Sequence, residues 1–113
     1  MKAILALAGL LASLPASALS PGAQEFMRIS KELEPVQCEK RRLRRQIAVA
    51  EVEGRDAEIK ALRERFAALD RDPKTAKLEK RLAQLQPRIS KSSDPEDLPA
   101  ISLQQREAFY RCE

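Results

Sequence analysis

Phe26, Ile29, Leu33, Val36, Leu43, Ile47 and Ala50 recur at alternating steps of three and four, and Lys40 fills the one place the series skips. A helix of about 3.6 residues per turn brings that spacing onto one face, so the stretch predicts an amphipathic helix with an apolar stripe turned to a core. A second series, Val52, Ile59, Leu62, Phe66 and Leu69, runs in an offset register, with Gly54 near the change. A local bend or a change of partner there reconciles the two. Leu78, Leu82, Leu85 and Ile89 mark one face of a further helix.

Prolines and short polar residues divide these series. Ser20-Pro21 reads as an N-cap followed by proline at the first helical position. Pro35 falls inside the first stripe, and the residue before a proline avoids the helical region. A kink or break is therefore expected at Glu34-Pro35, leaving residues 19–34 as a mobile N-terminal helix and residues 36–71 as a long helix. Asp72 is expected to cap a second helix over residues 73–89, with Pro87 near its end predicting fraying or a kink. Residues 90–101, polar and proline-rich, read as a linker, with Asp94-Pro95 as a cap-like pair. Ser102-Leu103-Gln104-Gln105 has the form of a capping box and opens a short helix over residues 102–112. The expected fold is all-α: an antiparallel helical hairpin with a short third helix, closed by a disulfide.

Residues 1–18, MKAILALAGLLASLPASA, have the character of a secretory signal peptide: Lys2, an uncharged and largely apolar stretch, and the small triplet Ala16-Ser17-Ala18. The apolar run is shorter than the roughly 20 residues of a membrane span, and Pro15 interrupts it. Cleavage is expected after Ala18, because a cut after Ser20 would place Pro21 immediately beyond the scissile bond. No cysteine stands directly after the run to accept a lipid anchor, and with the run removed no integral membrane segment is expected. Residues 19–113 then form one helical domain in the periplasm or outside the cell, with 20 basic residues against 17 acidic ones once Lys2 is removed.

The two cysteines, Cys38 and Cys112, gain meaning from that compartment. Under oxidising conditions a disulfide between them is the default, the alternatives being two free thiols or a bridge to a second copy. A helix from Cys38 to Arg71 runs about 50 Å outward, and the next covers about 25 Å of the return. The extended linker spans the remainder, so Cys112 reaches Cys38.

Lys40, Arg41, Arg42, Arg44 and Arg45 are five cations within six positions and form a candidate anion-binding segment. Such a run suits phosphates, an anionic envelope surface or an acidic partner. Glu51, Glu53, Asp56 and Glu58 follow closely and favour a solvated, ion-paired face instead. Nucleic acid is disfavoured by the compartment and by an aromatic content of 4%, too little for stacking on bases. The chain has no histidine, the commonest general base and metal ligand. No catalytic residue, metal ligand or cofactor is assigned, and a thiol redox role for the cysteines is the weaker reading of that pair. A two-helix hairpin leaves part of each stripe uncovered, which points to a third helix, a protein partner or a homo-oligomer as cover.

From Cys38 to Leu62 the chain resembles small periplasmic helical proteins of Gram-negative bacteria that are grouped as a domain of unknown function. Their early Cys precedes the pattern I-x-x-A-x-x-x-G-x-x-x-x-I/V-x-x-L, matched here by Ile47, Ala50, Gly54, Ile59 and Leu62. That family places a second Cys soon after the helix, where this chain has Arg71-Asp72-Pro73. The resemblance implies an envelope location and a helical fold, and no activity. The expected function is a non-enzymatic structural or protein-binding module, with an envelope-stress chaperone or anionic-surface binder as the alternative.

Overall fold

The computed structural model describes residues 19–112, and these form four helices: α1 (Pro21–Glu53), α2 (Asp56–Arg71), α3 (Pro73–Ser90) and α4 (Asp97–Arg111). The expected signal peptide and the expected cleavage after Ala18 lie outside the described residues. No strand occurs among the described residues, so the chain is all-α.

Helix α1 starts where the sequence places it. The Ser20 hydroxyl accepts a hydrogen bond from the Ala23 amide at 3.2 Å, and Pro21 occupies the first turn. Contrary to the expected break, α1 runs through Pro35 without interruption. Pro35 removes one backbone donor, yet its ring faces solvent. The stripe on both sides of it, Ile29 and Leu33 before, Lys40 and Leu43 after, is buried. Packing of a continuous face outweighs one lost hydrogen bond. The mobile helix over residues 19–34 and the long helix over residues 36–71 are therefore replaced by a single α1 that ends at Glu53.

That end is set by Gly54, whose φ of 68° lies in the left-handed region that glycine enters without steric cost. The Gly54 amide donates to the carbonyl of Glu51, and the Arg55 amide to that of Ala50, closing the last turn as a Schellman motif. The chain restarts at Asp56, and the two stripe registers belong to two helices. Val52 does not join the second stripe: it is 89% exposed at the end of α1. The junction between α2 and α3 follows the sequence, with the Asp72 side chain accepting from the Thr75 amide at 3.0 Å and Pro73 in the first turn of α3.

Helix α4 begins at Asp97, five residues before the expected capping box, so Ser102 is interior to the helix and caps nothing. Pro99 stands in the first turn, where a missing amide donor leaves no bond unmade. Asp97 itself is fully enclosed. Its carboxylate accepts from the Ser20 amide (3.0 Å), the Ser20 hydroxyl (2.6 Å) and the Ser92 hydroxyl (2.8 Å), tying together the start of α1, the end of α3 and the start of α4. A burial this deep is tolerated because donors surround the charge.

Side-chain pairs give the order of the helices along α1. Glu51 pairs with Arg63 and Glu39 with Arg65, both on α2, and Glu25 pairs with Arg81 on α3. From α4, Asp97 meets Ser20, Gln104 meets Met27 and Arg111 meets Glu34. Two apolar clusters result. Ala23, Ile29 and Leu33 of α1 pack with Leu85 and Ile89 of α3 and Ile101 of α4. Farther along, Leu43 and Ala50 pack with Leu62 of α2, flanked by Ile47, Ile59, Phe66 and Leu69.

Candidate functional site

Cys38 lies on the middle of α1, and Cys112 is the C-cap of α4. The parallel advance of α4 along α1 brings their Cα atoms to 5.3 Å, and the two sulfurs are joined as an intrachain disulfide. Beside this bridge lies a groove of about 340 Å³ between α1, α3 and α4. Phe26 and Leu33 of α1, Leu82 of α3, and Ala108 and Phe109 of α4 supply its apolar lining. Gln37, Arg41 and Gln104 supply polar groups. The Gln104 amide nitrogen donates to the Met27 carbonyl at 2.8 Å, while its amide oxygen is buried with no partner among the described residues.

The basic segment borders this groove, but its five members do not act as one surface. Lys40 is 6% exposed and sits in the gap of the apolar stripe. Its ammonium donates to Asp70 and, at 3.0 Å, to Glu79, and lies 5.6 Å from the centre of the Phe66 ring. Burial opposes its charge, but the hydrogen bonds to Asp70 and Glu79 outweigh that cost and raise its pKa above the ordinary lysine value. Arg41 stacks 4.0 Å from the centre of the Phe109 ring and donates to the Phe109 carbonyl at 3.2 Å. Arg42 pairs with Glu39 at 3.0 Å. Arg44 lies over the Phe66 ring at 5.2 Å, and Arg45 is exposed. The structure thus divides Lys40, Arg41, Arg42, Arg44 and Arg45 among a buried ion cluster, a contact with Phe109 of α4, a surface pair and two solvent-facing side chains.

The sequence reading missed the partners of Arg41 and Asp97. Arg41 meets Phe109 from 68 positions away and Asp97 meets Ser20 from 77, and no local spacing encodes such contacts. The outer surface of α4 was missed as well. Leu103 and Tyr110, seven residues apart and so two turns along one helix face, are 53% and 69% exposed. Phe109 is 53% exposed beside them and meets the Tyr110 ring edge-on at 5.6 Å.

No helix among the described residues is long and apolar enough to cross a membrane. Among the same residues no cluster of three or more His, Cys, Asp or Glu side chains could hold a metal ion. No family model, no curated protein and no solved structure matches the chain.

Proposed function

We propose that this chain is a non-enzymatic, extracytoplasmic protein-binding module: a disulfide-closed antiparallel helical hairpin, exported by the signal peptide and cut after Ala18, that presents α4 to a partner protein. The observation that carries the reading is the apolar outer surface of α4, formed by Leu103, Phe109 and Tyr110, on a helix covalently anchored at Cys112. Exposed aromatic side chains on a fixed element suit a binding surface, because they bury much area at little conformational cost. Export is supported by the disulfide, which persists in oxidising compartments. Cleavage after Ala18 is supported by the work of Ser20, which caps α1 and donates twice to Asp97; a cut after Ser20 would remove all three bonds.

The alternative of an anionic-surface binder draws on the basic segment, and it is the weaker of the two. Lys40 is enclosed, and Arg41 and Arg42 are engaged within the chain. To test the first reading, a photoreactive phenylalanine derivative is placed at position 110, and in a control at Lys77, in the producing cell. The expected outcome is a discrete adduct from position 110 with another protein or a second copy, and none from position 77. No adduct at position 110, or equal labelling at both, would contradict the proposal.

A further inference from the structure

The two halves of α4 are held in different ways. Its buried side chains, Asp97 and Ile101, both lie in the first half, where Asp97 is fixed by three hydrogen bonds. Beyond Ser102 no residue of α4 is fully buried, and the segment forms one wall of the groove through Gln104, Gln105, Ala108 and Phe109. Its polar and covalent contacts there are the Gln104 bond to Met27, the stacking of Arg41 on the Phe109 ring with its hydrogen bond to the Phe109 carbonyl, the pair of Arg111 with Glu34, and the disulfide. Exposed ion pairs and stacked cations contribute little to holding a helix end in water. The covalent bond is therefore the dominant restraint on this wall.

We propose that Cys38–Cys112 is a redox latch and that the second half of α4 is the lid it holds, closing over Phe26, Leu33 and Leu82. Both cysteines are only partly buried, so the bridge is open to a small reagent. The reductant is a dithiol. One of its thiolates attacks a bridge sulfur and forms a mixed disulfide, releasing the other cysteine as a thiolate that takes up a proton. The second thiol of the reagent, as thiolate, then displaces the remaining cysteine, which is protonated in turn. The reagent ends as a disulfide and Cys38 and Cys112 as two thiols, a transfer of two electrons. Arg41, one turn beyond Cys38 and lining the same groove, favours the departing thiolate. Freed of the bond, the helix beyond Ser102 frays and the apolar groove is exposed.

Hydrogen exchange by mass spectrometry on the full chain, oxidised and then reduced in place with a dithiol, tests the latch. Amides over residues 103–111 should exchange about tenfold faster or more after reduction, a local opening, while α1, α3 and the first turn of α4 keep their protection. Binding of a dye that fluoresces on apolar surface should rise in parallel, and the double variant C38S/C112S should match the reduced chain in both readouts. Unchanged exchange over residues 103–111, or unchanged dye binding, overturns the lid. Loss of protection throughout α1 and α3 also overturns it, because the bond is then a staple of the whole fold. The latch needs no partner at Tyr110, so this outcome and that of the crosslinking experiment are independent.

Discussion

The first half of α1, from Ser20 to Cys38, is flanked by α3 and α4 and buries Ala23, Ile29 and Leu33 against Leu85, Ile89 and Ile101. The second half, from Leu43 onward, packs on α2 and buries Leu43 and Ala50 against Leu62. The same periodic stripe runs through both, but a helix with two neighbours hides a wider arc than a helix with one. At the three-helix end the core is deeper and is reinforced by the Asp97 cluster and the disulfide. At the two-helix end apolar burial is thinner, and ion pairs such as Glu51–Arg63 lie at the surface, where they contribute little. Local stability should therefore fall along α1 from its N-terminus to its C-terminus.

Truncation within the two cores is the strongest way to break this contrast. Leu85→Ala, at a side chain 1% exposed among three helices, should cost about 4 kcal/mol, because the surroundings cannot collapse into the cavity. Leu62→Ala, at the thin end, should cost about 2 kcal/mol, since an open neighbourhood relaxes more readily. Chemical denaturation of both variants checks the difference, and equal losses would remove the distinction between the two ends.

The ion cluster between the two cores sharpens it. Replacing Asp70 and Glu79 together by Asn and Gln leaves the enclosed Lys40 ammonium without a counter-charge and should cost about 3 kcal/mol. Lys40→Met fills the gap in the stripe with an apolar side chain of similar length and should be close to neutral in the same measurement.

Much of this arrangement was legible from residue spacing. The buried side chains Ile29, Leu33, Leu43 and Ala50 all lie on the stripe, and the Ser20-Pro21 and Asp72-Pro73 caps sit where short polar residues precede proline. Continuity through Pro35 was not legible, because it depends on packing partners that α3 and α4 bring before the proline and that α2 and α3 bring after it. The start of α4 was hidden for a similar reason: Asp97 and Pro99 look like loop residues until Ser20 and Ser92 arrive as donors. At the groove, Cys38 and Cys112 were readable as a pair, whereas the split of the basic segment required knowing what α2, α3 and α4 bring alongside α1.

Proline itself provides a smaller test of the three-helix end. Pro35→Ala restores a backbone donor in a helix interior and should stabilise the protein by about 1–2 kcal/mol, read from the thermal or denaturant midpoint. No gain would show that the helix is already distorted to suit the ring.

The last effect is a change in the pH dependence of stability. Hydrogen bonds from the Ser20 hydroxyl and amide, and from Ser92, hold the Asp97 carboxyl below the ordinary aspartate value. Its contribution is therefore complete above the unfolded pKa of about 4 and fades as the pH falls through the lower folded value. In a pH series of unfolding midpoints, Asp97→Asn should lower stability at neutral pH and flatten the decline below about pH 4. An acid limb identical to that of the parent chain would place the acid sensitivity elsewhere.

An intact mass of the protein recovered from the extracytoplasmic fraction, alkylated first without and then with reductant, bears most directly on the account as a whole. The predicted result is a monomer that begins at Leu19 and takes up alkyl groups at Cys38 and Cys112 only after reduction. A full-length chain that is alkylated at both cysteines without reductant would contradict both the export and the covalent anchoring of α4.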